Sequence, residues 1–548
     1  MRPTIFILLT LFSLNQLNAQ FSKKKEPKLV IGIVVDQMRY DYLSRFYDDL
    51  SDKGFKKLMQ EGFFHKNAHF NYVPTYTGPG HAAVHTGTTP ANNGIIGNDW
   101  FDKTSGESVY CVGDPSQETI GTTSKKGKMS PHRLLSTTMA DQNRLHTQFR
   151  GKTISISIKD RGAILPGGHS ANAAYWYEGG KNGDFISSSY YMEELPEWVD
   201  DFNQSDIVDE HLKVWNTLLP MNEYDESGSD KNEFEFGFKG KEKATFPYDL
   251  KELAKNNGGL DILKYTPYGN DIVAEFAKRA IDGEELGKDD ATDFLLVSFS
   301  STDYAGHNFG VNSKEVHDMY LRLDRNLASF IKYLEEKIGK DEFTLFLTAD
   351  HGAVHVPNYL RSKKIRAGYF DTDKLKVDIE EYINSYFDKD LELIRRISNQ
   401  QLFFDHQELK ANKIKNSNLQ TLLTDYLLSY PKVNRVFTRD MIMHGNQTDH
   451  VGKLVQRGFH QKRSGDIIYA LEPAIISYPP KGSTHGSSMN YDTQIPLIFY
   501  GKGIKRGIGL NKRHITDIAP TISVLLGIAF PNANTGNVIT EALDKGQR

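Results

Sequence analysis

One cysteine, Cys111, stands in 548 residues. A lone thiol permits no internal disulfide, so the fold must rest on its apolar core. An excess of one charge is also missing: the formal net charge of −4 at pH 7 is too small to draw the chain to nucleic acid or a membrane surface. No apolar run is long enough for a membrane anchor. The run nearest the start, Thr4-Ile-Phe-Ile-Leu-Leu-Thr-Leu-Phe12, lies behind Arg2 and ahead of Leu17-Asn-Ala19. That pattern reads as a Sec signal peptide over residues 1–19, with no following Cys for lipid attachment. Export to a periplasm, or secretion, is the expectation. Internal repeats and long low-complexity segments are lacking too. With 39% hydrophobic and 25% charged residues, the chain suits one large domain with insertions.

What is present is a set of carboxylates and imidazoles at the ends of apolar runs. Lys28-Leu-Val-Ile-Gly-Ile-Val-Val-Asp36 has the pattern of a fully buried strand at the centre of a parallel sheet, ending in a carboxylate. Asp293-Phe-Leu-Leu-Val-Ser-Phe-Ser-Ser-Thr-Asp303 repeats it, and Tyr304-Ala-Gly-His307 then lets an imidazole converge on Asp303. Phe343-Thr-Leu-Phe-Leu-Thr-Ala-Asp350-His351-Gly352 is the third case, and His485 lies in the turn-rich Gly482-Ser-Thr-His-Gly-Ser487. Ligands of open α/β sheets bind beyond the carboxyl ends of the strands, so the three termini should open onto one crevice. Any one of these residues alone reads as a cap or a solvated loop residue. Six together are enough for two metal sites, and Asp with His suits zinc.

The same alternation predicts a three-layer α/β/α sandwich with a mostly parallel central sheet. Its catalytic domain would span 28–548, with insertions at 185–285 and 360–480. Helices are expected over 374–387 and 419–430, separated by a strand at 401–404, and a helix carrying Pro520 over 514–526.

A nucleophile is the next requirement. Pro74-Thr-Tyr-Thr77-Gly-Pro-Gly-His puts two threonines before a Gly-Pro-Gly turn, after which a helix can begin. A hydroxyl there faces free N–H groups and the positive end of the helix dipole. Thr75 and Thr77 could equally be N-caps. Thr needs a metal to become a competent nucleophile, and the ligand set supplies that condition.

In order, strand-Asp36, Thr-x-Thr77-Gly-x-Gly-His, Gly94-Ile-Ile-Gly-Asn98, Asp303-x-x-x-His307, Asp350-His351-Gly and Gly-x-x-His485-Gly resemble the alkaline phosphatase superfamily. Within it the chain is most similar to the phosphate-irrepressible alkaline phosphatases of flavobacteria. The nucleotide pyrophosphatase/phosphodiesterases are a more distant likeness. The resemblance implies two zinc ions, one on Asp303, His307 and His485, the other on Asp36, Asp350, His351 and the Thr77 oxygen. It implies Thr77 as nucleophile, since Thr77 directly precedes Gly-x-Gly-His. Asn98 would donate to a phosphoryl oxygen, and Lys159 and Arg161 match the flavobacterial Lys-x-Arg pair. The preceding Ile/Ser alternation, continued as a strand, sends both cations to one face.

Two cations there favour a phosphate monoester, whose dianion carries a charged oxygen that a diester replaces with an organic group. The implied course is in-line attack by Thr77, a phosphothreonine intermediate, then its hydrolysis, with small-molecule phosphate monoesters as substrates. Remaining acidic residues such as Asp41, Asp48/Asp49 and Glu380/Glu381 read as solvated helix faces. The alternatives are a phosphodiesterase or nucleotide pyrophosphatase, which would place apolar groups where Lys159 and Arg161 stand, and a non-catalytic phosphate-binding protein. A sulfatase would need its own modified Cys or Ser motif, which Tyr110-Cys-Val-Gly-Asp does not match. No oligomeric state is specified by any of these patterns.

Overall fold

The computed structural model describes residues 26–544; the expected signal peptide lies outside the described residues. Seven strands build the body of the main sheet: β1 (Leu29–Val35), β2 (Phe63–His69), β3 (Thr153–Ser157), β4 (Ala173–Gly179), β5 (Asp293–Phe299), β6 (Phe343–Thr348) and β7 (Gln494–Gly501). Their order across the sheet is β2-β7-β6-β1-β5-β3-β4, with short strands extending it to eleven. The five from β6 to β4 run parallel, and β7 is antiparallel to both its neighbours. The sheet is therefore parallel at its centre and mixed toward its edges.

Every residue of β1, β5 and β6 is buried, so both faces of the sheet centre are covered, as in a three-layer α/β/α protein. Register carries this to the site. Val35 pairs with Phe299, and Val34 with Thr348, so the carboxyl ends of β1, β5 and β6 finish level. Asp36, Asp303 and Asp350 emerge at the same edge. The helices that matter next are α1 (Thr77–Thr86), α2 (Asp160–Gly167), α3 (Ser301–Phe309) and α4 (Lys314–Leu334).

Residues 394–471 carry a separate antiparallel sheet of four strands. Helices Thr372–Phe387 and Asn416–Ser429 accompany it, and the unit has an apolar cluster of its own that includes Ile379, Leu402 and Leu423. The stretch around 197–283 instead packs into the main core through Phe202, Trp215 and Phe276.

Three local readings are corrected. Gly78-Pro79-Gly80 is not a turn ahead of a helix but the first turn of α1 itself, a place where proline loses no hydrogen bond because first-turn N–H groups have no intrahelical partner. For the same reason the helix with Pro520 begins at Ile518, after a single turn of 3-10 helix at Ile515–Asp517. Asp49 is not merely solvated, since its Oδ2 lies 3.1 Å from Nε2 of the buried His317.

Gly80 shows why α1 needs its glycines. A Cβ there would lie 2.3 Å from the carbonyl oxygen of Asp350 and 2.7 Å from its Cβ, so the helix backbone rests directly on a predicted ligand. Gly80→Ala should cost about 1–3 kcal/mol of stability by overpacking and lower activity by displacing Asp350. Denaturant midpoints and steady-state rates measure both; an unchanged midpoint would refute the contact.

Candidate active site

Each ligand candidate is delivered by an element end. Asp36 follows β1, Asp350 and His351 follow β6, and Asp303 and His307 sit one helical turn apart on α3. His485 comes from the loop before β7. All three imidazoles are held through Nδ1 by backbone carbonyls: His307 to Ser483 at 2.7 Å, His351 to Gly352 at 2.9 Å and His485 to Thr75 at 2.7 Å. With Nδ1–H donating, Nε2 is the lone-pair nitrogen, the form that ligates metal.

The Nε2 atoms converge on the carboxylates. His307 Nε2 is 3.2 Å and His485 Nε2 3.7 Å from Asp303 Oδ1. His351 Nε2 is 3.4 Å from Asp36 Oδ1 and 3.6 Å from Asp350 Oδ2. Ligand atoms of Asp303, His351 and His485 lie within 4.8 Å of one another, as do those of Asp36, Asp350 and His351. His351 thus stands between the two sets, its ring stacked 3.5 Å from that of His485. His307, beside Asp303, is the most exposed of the three imidazoles.

The electrostatics suit a cation. Asp36, Asp303 and Asp350 are at most 3% exposed. The Lys159 ammonium bridges two of them, 2.7 Å from Asp36 Oδ2 and 2.5 Å from Asp303 Oδ2. Asp36 Oδ1 and Asp350 Oδ2 are buried without any hydrogen bond; His81 Nδ1, 3.3 Å from Asp350 Oδ2, is engaged at 2.9 Å by the Thr77 carbonyl. Burial, reinforced by Asp350, pushes the Asp36 carboxyl well above the usual range although Lys159 opposes it. Burial acts upward on Asp303 too, but His307 and Lys159 outweigh it and hold that carboxyl well below. Burial and the adjacent His351 keep His485 neutral. Unbalanced buried charge costs several kcal/mol per ion, and orphaned oxygens beside neutral imidazoles are a donor set suited to zinc. The residues present therefore fit a pair of divalent ions.

Thr77 is the first residue of α1, buried, with Oγ1 3.4 Å from His351 Nε2. The Thr75 hydroxyl is turned elsewhere, donating to the Ser487 carbonyl at 3.2 Å. Asn98 Oδ1 accepts the Gly78 N–H at 2.8 Å. That N–H, expected to be free for an anion, is spent on locating Asn98, whose amide nitrogen remains as the donor. Lys159 and Arg161 do not continue a strand. β3 ends at Ser157, Lys159 caps α2 and Arg161 lies in its first turn, because Asp160 favours a helix start there. Arg161 Nη1 donates to the Tyr110 hydroxyl at 3.0 Å, while its Nε is buried without a partner. Cys111 is buried among apolar residues including Ile95 and Trp100.

Two contributors escaped the sequence reading. Gln37 donates from Nε2 to Asp303 Oδ1 at 2.5 Å and from its backbone N–H to Asp350 Oδ1 at 3.1 Å. Its left-handed φ of 62° leaves no mark in the residue type. His81 ties α1 to Ser298 of β5, Nε2 to Oγ at 2.9 Å. Its place four residues after Thr77, one turn on, was the available signal.

Residues 30–489 match the family described as type I phosphodiesterase / nucleotide pyrophosphatase. A Myroides odoratus protein named calcium-transporting ATPase is 45% identical, covering 95% of this chain and 96% of its own. Alkaline phosphatase PafA of Elizabethkingia meningoseptica is 43% identical over 95% of each chain. Alkaline phosphatase PhoV of Synechococcus elongatus is 44% identical, covering 94% of this chain and 93% of its own. The crystal structure of wild-type PafA superposes with a TM-score of 0.91 at 43% identity, over 95% of this chain and 99% of that one. A PafA variant replaces one Thr, one Asn, one Lys and one Arg, spaced as Thr77–Asn98 and Lys159–Arg161 are here. Among the described residues no helix is long and apolar enough to cross a membrane.

Proposed function

Since the chain belongs to the alkaline phosphatase superfamily and is a phosphoric monoester hydrolase within it, we propose that it is an exported, zinc-dependent enzyme acting through a phosphothreonine intermediate on Thr77. The observation that carries this reading is the meeting of three buried carboxylates and three Nε2-facing imidazoles with a buried Thr hydroxyl. Asp303, His307 and His485 would hold one zinc, and Asp36, Asp350, His351 and Thr77 the other. When bound, the pair supplies Lewis acidity to the nucleophilic and leaving oxygens of an in-line displacement.

The chain's own groups do the rest. Thr77, fixed at the head of α1, presents Oγ1 to phosphorus and becomes phosphorylated as the alcohol leaves. Hydrolysis of that ester releases phosphate and restores the hydroxyl. Asn98, located by the Gly78 N–H, donates its amide to a phosphoryl oxygen. Arg161, braced by Tyr110, offers its guanidinium to the same group. Lys159 both ion-pairs with Asp36 and Asp303 and places its ammonium beside the phosphoryl oxygens. Export rests on the N-terminal pattern of residues 1–19 and would put the enzyme in a periplasm or outside the cell.

The family description keeps a diesterase in view, and the cations discriminate. Each charge-assisted hydrogen bond to the extra monoester oxygen is worth roughly 1.5–3 kcal/mol, on the order of ten- to a hundredfold in rate. The Lys159→Ala, Arg161→Ala double variant should lose about a thousandfold in monoester kcat/KM, with aryl diester kcat/KM changing far less. Because Lys159 is itself a cation on two of the buried carboxylates, its substitution alone should not weaken metal retention, and neither should Arg161→Ala. Equal proportional loss on the two ester classes would make the pair structural or merely a source of general positive field.

A further inference from the structure

Asn98 ends a stretch, Gly94-Ile-Ile-Gly97-Asn98, that is neither helix nor strand. Two of its five residues are glycines, which constrain a backbone least. Within the main domain the Cys111 N–H holds the Asn98 carbonyl at 2.8 Å, and the Gly78 N–H holds its side-chain oxygen at 2.8 Å. The Gly78 bond fixes Oδ1 alone. Where the amide nitrogen points depends on where the backbone of residues 97–99 lies.

That backbone is gripped from outside by the four-stranded unit at 394–471. Arg463 Nη1 donates to the Gly94 carbonyl at 2.5 Å and to the Arg133 carbonyl at 2.8 Å, and its guanidinium lies 5.1 Å over the Trp100 ring. Phe403 meets Phe101 edge to face, with ring centres 5.4 Å apart. Lys103 Nζ donates back to the Ser464 carbonyl at 2.6 Å. The contact nearest Asn98 comes from Asn399, whose Nδ2 donates at 2.7 Å to the carbonyl of Asp99, the next residue.

Asn399 and Gln400 are the two-residue turn between the strands Ile394–Ser398 and Gln401–Phe404, with left-handed φ of 52° and 59°. Two positive φ angles mark the hairpin turn in which Asn is favoured at the first position, so one side chain suits the turn and supplies the donor. The approach is close. A Cβ on Gly97 would lie 2.7 Å from Asn399 Nδ2 and 2.7 Å from the Asp99 carbonyl oxygen. The turn also faces the catalytic residues: with His485 and Tyr76, which precedes Thr77, Asn399 and Gln400 line a cavity of about 250 Å³.

We propose that Asn399 is a positioning residue for Asn98: by holding the Asp99 carbonyl, the hairpin tip of the 394–471 unit fixes the backbone from which the Asn98 amide reaches the phosphoryl group. The inference rests on Asn98 donating to substrate, as in the reaction given above. The unit's own apolar cluster gives the tip a firm base. Such support matters because a misplacement of about 1 Å at a reacting centre costs on the order of a hundredfold in rate.

A double-mutant cycle on the zinc-loaded full-length protein tests it. Asn399→Asp keeps a residue that tolerates left-handed φ but replaces the N–H donor with a carboxylate oxygen; Asn399→Gly keeps the φ and deletes the side chain. Each should lower aryl phosphate kcat/KM by about tenfold and weaken binding of inorganic phosphate, with zinc content retained. In an Asn98→Ala background the same substitutions should change kcat/KM by less than about twofold, since the group they position is gone. Unchanged kcat/KM in both Asn399 variants, or the same fold loss with and without Asn98, would overturn the positioning role and leave Asn98 as donor. Full activity in Asn98→Ala alone would overturn the reading of Asn98 itself, and this inference with it.

Discussion

Stripped of metal by a chelator, the protein should lose activity by three orders of magnitude or more, on the order of the several kcal/mol that Lewis-acid stabilisation supplies; zinc should restore it. The expectation follows from charge. Asp36, Asp303 and Asp350 are buried together, Lys159 bonds only two of them, and two of their oxygens have no hydrogen bond. Removing cations from such a cluster leaves repulsion that the protein cannot hydrate, so Tm should fall with activity. Metal analysis of the active enzyme should give two zinc ions per chain. His307→Ala should reduce occupancy of one site more than the other. His351→Ala should in turn deplete the site of Asp36 and Asp350 more than that of Asp303 and His485. One ion or none in fully active protein would refute the two-site reading.

Replacing Thr77 by alanine should lower turnover by several orders of magnitude while zinc content and phosphate binding persist. The hydroxyl is the only part of the covalent route that the substitution deletes. The backbone at that position is set by α1, and the ligand set lies on β1, α3, β6 and the His485 loop. Thr77→Ser should retain substantial activity, because the oxygen remains at the head of the helix. Acid quench of wild type during turnover should trap phosphate on Thr77. Full activity in the alanine variant, or phosphate trapped on Thr75, would sink the assignment. Thr75 is a poor substitute, since its hydroxyl is committed to Ser487 and its carbonyl to His485.

The sheet centre was legible because buried parallel strands are near-continuous apolar runs, and β1, β5 and β6 each read as one. Their acids were legible for the same reason, as a carboxylate directly after such a run (Asp36) or within four residues of it (Asp303, Asp350) is conspicuous. Less was visible where local sequence allows two backbone paths. Gly78-Pro79-Gly80 has turn composition, yet it forms a helical first turn because α1 must lie against Asp350. Lys159 and Arg161 extend an alternating pattern, yet they begin α2.

By itself, the sequence determined which residues are candidates: six carboxylates and imidazoles in three strand-end motifs and one loop, a threonine before Gly-x-Gly-His, and a Lys-x-Arg pair. Only the tertiary structure decided how they are shared out. It put His351 between the two ligand sets, spent Lys159 on Asp36 and Asp303, enlisted Gln37 and His81, and turned Thr75 away. Those outcomes depend on through-space distances between β1, β3, β5 and β6. They are fixed by strand order and register, quantities that join residues hundreds of positions apart and leave no local trace along the chain.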